Sequence, residues 1–231
     1  MGEKDDYRVE VVQFHQSTAY EDIVVGLRPT SDGGFAPEEG VFARFCRKAA
    51  KDPGRDHVFI IDEINRANVS KVFGELLMLI ESDHRGETLR LPVSGKLLAV
   101  PGHLHIIGMM NTADRGLALI DYTLRRRFAF LEMKPALDHP GFFAHLDKVG
   151  SRRLRNLVDV VRRLNTRIEE DAALGPGFRI GHSYLCLPPG STDDDVASVI
   201  RHELKPLVHE YWFDDRDAMN SGVAELRSVL L

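Results

Sequence analysis

The chain has 231 residues, a formal net charge of −5 and 28% charged residues, and these values limit the classes of protein to which it can belong. This length can bury a core but is small for two full domains, and the negative charge argues against a basic domain that wraps DNA unaided. No apolar run is long enough to cross a bilayer, no secretory signal is visible, and the two cysteines form no CxxC pair. We therefore expect a cytoplasmic protein with reduced thiols and no membrane partner.

The first part of the sequence alternates predicted strands with predicted helices. Strands are predicted at Val9–Phe14, Val58–Asp62 and His105–Met110, and at Leu89–Val93 with Leu97–Val100 as a hairpin. Helices are predicted at Val41–Ala50, from Asn68 to about Ser82, and from Asp121 to Arg127, after which a further strand begins at Phe128. Strands that alternate with helices favour parallel pairing, so we predict an α/β layered fold.

The second part of the sequence is predicted to be mostly helical. Helices are expected at Arg152–Asp171, near Asp193–Tyr211 and at Asp217–Leu230, with a short apolar stretch at His182–Cys186. We therefore expect an α/β domain over residues 1–135 and a small helical domain over residues 136–231.

The most informative stretch is the apolar run Val58–Ile61, which leads directly into Asp62 and Glu63. Such a run is typical of a strand buried on both faces in a parallel sheet, and two carboxylates at its end are costly unless they are used. In nucleotide hydrolases this is the Walker B arrangement, in which the Asp holds Mg²⁺ and the Glu polarises the attacking water. The alternative is a buried strand that ends in a solvated acidic turn.

A second apolar run, His105–Met110, ends in Asn111. An amide at the tip of a neighbouring strand can hydrogen-bond a phosphate or the attacking water, the role called sensor 1. The run Arg125–Arg127 follows on a predicted helix. Arginine suits a γ-phosphate because its planar fork donates to two oxygens, although cations also favour a helix C-terminus.

The order of four strings resembles the AAA+ module of the McrB family, the nucleotide-driven motor subunits of modification-dependent restriction systems. The strings are DEINRAN from Asp62, MNTADR from Met110, DYTLRRRF from Asp121 and GHSYL from Gly181. The similarity runs from about residue 9 to about residue 213, and MNTADR is its most discriminating piece. Gly116 stands where the family usually has serine, so we assign that position no role.

The largest departure from this family is the absence of a phosphate-binding loop. No Gly-x-x-x-x-Gly-Lys-Ser/Thr string occurs in the sequence, and the nearest candidate, Ser94–Leu97, reads as a hairpin tip. In the family this loop lies upstream of the segment that matches Gln13–Gln16. The chain therefore resembles a partial AAA+ core of the P-loop NTPase type, without its first strand, its phosphate loop and the following helix, joined to a helical lid.

The resemblance implies a role for each matching residue. Asp62 would bind Mg²⁺, Glu63 would orient the attacking water, and Asn111 would sense the γ-phosphate. Asp114 and Arg115 would shape the catalytic pocket.

The resemblance also implies contacts further from the Walker B carboxylates. Arg126 or Arg127 would enter a neighbouring subunit's site as the arginine finger. Asn65 would take part in nucleotide binding. His182 is either a nucleotide contact or a packed histidine of the lid.

The implied function is hydrolysis of GTP or ATP with Mg²⁺ by a motor subunit of a McrBC-like, 5-methylcytosine-dependent restriction system. Family members form homo-oligomeric rings, work with an McrC-like nuclease subunit and reach DNA through an N-terminal domain that is absent here. Because the sequence has no Walker A string, the alternative is a non-catalytic, degenerate AAA+ subunit that serves assembly or interaction. An in-frame phosphate loop upstream of Met1 would favour the NTPase.

Overall fold

The chain folds into two compact units, Met1–Leu131 and Glu132–Leu231. The computed structural model describes residues 7–111, 113 and 122–231. The division lies near the expected domain boundary at residue 135, which itself stays a prediction. Each unit has its own hydrophobic core.

The first unit alternates strands and helices, as predicted for an α/β fold. In chain order they are β1 (Val9–Gln13), α1 (Tyr20–Ile23), β2 (Val25–Pro29), β3 (Phe35–Glu39), α2 (Val41–Ala50), β4 (His57–Asp62), α3 (Val69–Phe73), α4 (Leu76–Ile80), β5 (Thr88–Arg90), β6 (Leu97–Ala99), β7 (Leu104–Gly108) and α5 (Tyr122–Arg125). The hairpin of β2 and β3 was not predicted, although the Asp32-Gly33-Gly34 sequence at its turn is typical of one. The predicted hairpin of β5 and β6 is confirmed, with Gly95 at its tip in a left-handed conformation.

A parallel three-stranded sheet, in the order β1–β4–β7, forms the centre of this unit. In its register Gln13 lies opposite Asp62, and Ile61 lies opposite Gly108. Because the strands are parallel, their carboxyl ends lie at one edge of the sheet. Ligands of α/β sheets bind at this edge.

The two faces of the sheet are buried to different extents. Phe59 and Ile61 point into the first core and are fully buried. On the other face Ile60 is only half-buried, and Val11 and Ile107 are 59% and 48% exposed. The expectation that β4 is buried on both faces is therefore wrong for the described residues, because its buried and half-buried positions alternate.

The single helix predicted from Asn68 to Ser82 is two short helices, α3 and α4. Asn68 caps α3 as predicted, with its side chain accepting a hydrogen bond from the backbone N–H of Lys71 at 2.9 Å. Gly74 ends α3 with a φ of 51°, and a Cβ there would lie 3.1 Å from the ring of Tyr20. The close approach of this ring and the left-handed backbone together require glycine and break the helix. The hydroxyl of Tyr20 donates to Glu75 at 2.6 Å, and burial together with this carboxylate raises the tyrosine's pKa.

The strand expected from Phe128 onward is also absent from the described residues. Phe128 packs against the first core, whereas Phe130 and Leu131 are 52% and 84% exposed. No strand among the described residues pairs with this segment. An apolar, extended segment does not become a strand without a partner that completes its hydrogen bonds.

The second unit is helical, as predicted. Its helices are α6 (Pro140–Val149), α7 (Arg152–Glu170), α8 (Asp193–Val199), α9 (Lys205–Tyr211) and α10 (Arg216–Ser228). A π-helical turn at Ile200–Leu204 joins α8 to α9 just before Pro206, which cannot donate a backbone hydrogen bond. Sequence analysis missed α6, although Pro140 at its first position and Gly150 after its end are typical helix signals.

A buried amide fixes the loop that follows α7. Asn165 is 7% exposed; its Nδ2 donates to the carbonyl of Ile180 at 3.0 Å, and its Oδ1 accepts from the N–H of the same residue. The amide nitrogen and the amide oxygen of Asn165 thus each have a hydrogen-bond partner. The loop that carries His182 therefore starts from a fixed point.

Five of the six arginines of α7 are paired with acidic side chains. The ion pairs join Arg153 to Asp193, Arg155 to Asp147, Arg162 to Asp138 and Asp159, and Arg163 and Arg167 to Glu225. This pairing agrees with a solvated helix face rather than a basic surface that binds DNA directly.

Both cysteines are free thiols, and Cys46 lies in the first core. Burial raises the pKa of Cys46 to about 12, which keeps its thiol neutral. Among the described residues, no helix has the length and apolar character needed to cross a membrane.

Among the described glycines of the first unit, Gly40 leaves the least room for a side chain against neighbouring backbone. A Cβ at this position would lie 2.3 Å from the carbonyl carbon of Ile23 and 2.5 Å from the nitrogen of Val24. We expect Gly40→Ala to lower the free energy of unfolding by about 3 kcal/mol, because backbone atoms must move apart. Urea denaturation followed by circular dichroism measures this change. Gly54→Ala is the matched control, since nothing lies within 4 Å of its added Cβ; equal stability of the two variants would contradict the prediction.

Candidate functional site

Asp62 is the last residue of β4 and lies at the carboxyl edge of the sheet. Its Oδ1 accepts a hydrogen bond from the N–H of Glu63 at 3.0 Å, and its Oδ2 accepts from Nε2 of Gln13 at 3.2 Å. The two bonds fix the orientation of a half-buried carboxylate. Gln13 is a contact that sequence analysis did not identify, and only its place at the end of the neighbouring strand could have indicated it.

Glu63 has an unusual backbone and a partly buried carboxylate. Its φ of 53° and ψ of 43° place it in the left-handed region, where it is the single non-glycine residue with positive φ among those the structure describes. Its carboxylate forms an ion pair with Arg66, whose Nε lies 3.0 Å from the buried Oε2 of Glu63. Strained backbone of this kind is concentrated at functional sites. Arg66 is a second neighbour that sequence analysis missed.

The loop after β4 is joined to the end of β7. The N–H of Ile64 donates to the carbonyl of Met109 at 3.0 Å, and the N–H of Met109 donates to the carbonyl of Ile61 at 2.8 Å. Gly108 allows this approach, because a Cβ there would lie 2.7 Å from Cδ1 of Ile64. The two strand ends that carry the predicted site are therefore held together by backbone hydrogen bonds.

Asn111 follows this junction, three positions after Gly108. Its side chain is exposed and its Oδ1 accepts a hydrogen bond from the N–H of Ala113 at 3.0 Å. The structure thus brings Asp62, Glu63 and Asn111 to one edge of one sheet, as the sequence predicts. Asp114 and Arg115 lie outside the described residues, so their predicted place in the pocket is untested.

Asn65 provides the observation that bears on a bound metal or nucleotide. Its Oδ1 is buried and accepts no hydrogen bond from the described part of the chain. A buried polar atom without a partner is costly, so a donor from outside the chain would relieve it. The carboxylate oxygens of Asp62, three residues earlier in the chain, are the hard ligands that Mg²⁺ prefers, and magnesium sites keep several water molecules as donors. The oxygen atoms of Asp62 and Asn65 therefore fit a hydrated Mg²⁺ ion that is bound together with a nucleotide.

The three arginines Arg125–Arg127, which begin at the last residue of α5, differ in their surroundings. Nε of Arg127 donates to the carbonyl of Leu77 at 3.1 Å, its Nη2 forms an ion pair with Glu81, and its side chain is 18% exposed. Arg125 and Arg126 are exposed. The contacts of Arg127 are made within its own unit, a distinction that the sequence alone does not contain.

His182 lies in the second unit and makes packing contacts there. Its Nδ1 accepts a hydrogen bond from the N–H of Ala136 at 3.1 Å, and its ring lies 6.1 Å from that of Phe142 in an edge-on arrangement. These contacts account for one ring nitrogen and for packing against Phe142. A nucleotide contact through the other nitrogen stays a prediction.

Comparison with known protein families bears on this geometry. A model of the AAA domain, dynein-related subfamily, matches residues 4–128, more than half of the chain. The chain belongs to this AAA family. The AAA module is followed by a match to the alpha-helical lid domain of McrB over residues 156–220, so the predicted resemblance to the McrB family and the predicted fold are confirmed.

Two relatives extend the comparison of this AAA chain. It is 45% identical over 226 residues to the type IV methyl-directed restriction enzyme EcoKMcrB subunit of Escherichia coli K12, covering 93% of this chain and 49% of the relative. It is 28% identical over 188 residues to the type II restriction enzyme BsuMI component YdiS of Bacillus subtilis 168, covering 70% of this chain and 53% of that relative. The chain thus spans about half the length of each relative.

Proposed function

We propose that this chain is the AAA+ hydrolase module of a motor subunit in a McrBC-like, 5-methylcytosine-dependent restriction system. The observation that carries the proposal is the arrangement at the carboxyl edge of the sheet. There β4 ends at Asp62, and Glu63 follows. Backbone hydrogen bonds join the end of β4 to the segment that leads from β7 to Asn111. The two restriction-enzyme relatives support the system in which this module would act.

The proposed chemistry assigns a distinct task to each residue. Bound Mg²⁺ with GTP or ATP would supply the phosphoryl group and neutralise its charge. Asp62, oriented by Gln13, would hold the ion through water. Glu63 would accept a hydrogen bond from the attacking water and increase its nucleophilicity. Asn111 would donate its amide to the γ-phosphate or to that water.

Asn65 and the arginine run complete the proposed site. The buried Oδ1 of Asn65 would accept a hydrogen bond from a water bound with the nucleotide. Arg126, which is exposed, would donate to the γ-phosphate in a neighbouring subunit. A catalytic arginine of this kind requires a homo-oligomeric ring, and an McrC-like nuclease subunit would be its partner.

The second candidate is a non-catalytic AAA+ subunit that serves assembly. The feature that favours it is the lack of a Gly-x-x-x-x-Gly-Lys-Ser/Thr string in the sequence. The left-handed backbone of Glu63 favours the hydrolase, because strained backbone at a non-glycine residue is concentrated at functional sites.

We expect the 231-residue chain by itself to bind no triphosphate at micromolar concentration, because its sequence has no phosphate-loop string to supply the cradling N–H groups and lysine. Isothermal titration with Mg·GTP and with Mg·ATP measures this. Submicromolar binding of either nucleotide would contradict the prediction and would indicate a phosphate site of another kind.

The hydrolase itself is tested in a form that we call the loop-restored protein, in which a segment with the phosphate-loop pattern precedes residue 7. This form should bind GTP or ATP and hydrolyse it, and comparison of the two nucleotides identifies the substrate. Binding without turnover, in an assembled ring, would favour the non-catalytic subunit.

A further inference from the structure

We propose that Glu81 and Arg127 are positioning residues, which fix the arginine run to its own subunit so that Arg126 alone reaches the neighbouring site. This inference rests on the proposed function, because it assigns different tasks to two arginines that the sequence treats alike. It follows from the contacts of α4 and of the segment after α5.

The C-terminal end of α4 binds the guanidinium of Arg127. The N–H of Glu81 bonds the carbonyl of Met78, not that of Leu77. The carbonyl of Leu77 accepts instead from Nε of Arg127 at 3.1 Å. Helix ends leave carbonyls that need such donors, and a cation at this end also favours the helix dipole.

The carboxylate of Glu81 provides a second point of attachment. Glu81 leaves the helix with an extended backbone, and its side chain pairs with Nη2 of Arg127. A planar guanidinium that is held at both Nε and Nη2 cannot rotate about its long axis. Directional bonds at Nε and Nη2, as well as charge, therefore fix the guanidinium of Arg127, and its side chain is only 18% exposed.

The backbone around the arginines is fixed in the same way. The carbonyl of Leu124 accepts hydrogen bonds from the N–H groups of Arg127 and Phe128, at 2.9 and 3.2 Å. Leu124 is 4% exposed, and Phe128 packs against the same core. The two apolar residues hold the turn from inside, and Arg126, which lies between them, is exposed.

The helix that holds Arg127 is itself immobilised. Leu76 and Leu79 of α4 are fully buried, and Glu75 at its start accepts a hydrogen bond from Tyr20. A rigid support matters because a misplacement of about 1 Å at a catalytic group can reduce a rate by about 100-fold. If Arg127 were itself the residue that enters a neighbour, it would have to leave both Leu77 and Glu81.

The test compares Glu81→Gln with the parent in the loop-restored protein. We expect kcat to fall by about 10- to 100-fold while KM and nucleotide affinity stay unchanged, because the defect lies in the position of a group that acts in the transition state. The unfolding temperature should stay close to that of the parent, since a partly exposed ion pair contributes little to stability. A purely structural role would lower the unfolding temperature and leave kcat per folded molecule unchanged.

The matched control is Glu87→Gln, which removes a carboxylate of the same segment that pairs with His84. It should retain parental kcat. Glu81→Asp, which keeps the charge, should recover part of the activity, as should the exchanged pair of Glu81→Arg with Arg127→Glu. Combining Glu81→Gln with Arg126→Ala should cause no loss beyond that of Arg126→Ala, because the first change acts through the second residue.

Two results would overturn the inference, and they differ from failure of the proposed function. The first is parental kcat in Glu81→Gln together with an inactive Arg127→Ala. It would show that Arg127 contributes to catalysis independently of its ion pair with Glu81. An additive loss in the combined variant would show that Glu81 does not act through Arg126. If Arg126→Ala and Arg127→Ala both retain full hydrolysis, the interface mechanism of the proposed function fails and this inference fails with it.

Discussion

Glu63→Gln in the loop-restored protein should reduce nucleotide hydrolysis by about 10²- to 10⁴-fold, the usual contribution of a positioned general base. Glutamine keeps the shape of the side chain but removes the charge that polarises water. Nucleotide affinity and ring assembly should persist, because only an interaction of the transition state is lost. Phosphate release measures the rate, and isothermal titration measures the affinity.

Two further measurements make this result specific to Glu63. Glu38→Gln removes an exposed carboxylate of β3 and should leave hydrolysis unchanged. Size-exclusion chromatography with nucleotide should show that the Glu63 variant assembles like the parent. Turnover near the parental value in Glu63→Gln would mean that another group activates the water.

Arg126→Ala should reduce hydrolysis in the loop-restored protein by about 10³- to 10⁵-fold, the usual contribution of a catalytic arginine supplied by a neighbour. Mixing this variant with Glu63→Gln should restore part of the activity. In a mixed ring some sites combine an intact Glu63 from one subunit with an intact Arg126 from the next. Hydrolysis is measured as a function of the mixing ratio, and its maximum should lie between the two pure variants.

The neighbouring Arg125 provides the control for this experiment. Arg125→Ala removes another exposed cation, at the end of α5, and should cost far less activity. Co-assembly of the mixed variants can be shown by pull-down of one tagged subunit with the other. Co-assembly without recovered hydrolysis would place the arginine's action within its own subunit.

The parallel sheet could be predicted because short stretches of sequence are enough to indicate its strands. The apolar run before Asp62 and the run before Asn111 each indicate a strand, and the alternation with helices indicates how they pair. The break at Gly74 could not be predicted in this way. It depends on the ring of Tyr20, which lies far away in sequence and approaches only in the folded chain.

The candidate site shows the same limit. Sequence identifies Asp62 and Glu63 because adjacent carboxylates after a buried strand are unusual. It does not identify Gln13, whose contact with Asp62 depends on the register of two strands, or the contacts that separate Arg127 from Arg126. The predicted strand after Phe128 failed for a related reason, since a strand is defined by its partner as much as by its own residues.

The left-handed backbone of Glu63 has a consequence for how this protein can be optimised. A side chain in that conformation costs about 1–2 kcal/mol relative to glycine, so the chain would fold more stably with glycine there. A search for thermostable variants should therefore favour loss of Glu63, whereas a search for active ones should retain it. The catalytic role that we propose for Glu63 would thus oppose stability at this position, and consensus-based or computational stabilisation should hold Glu63 fixed.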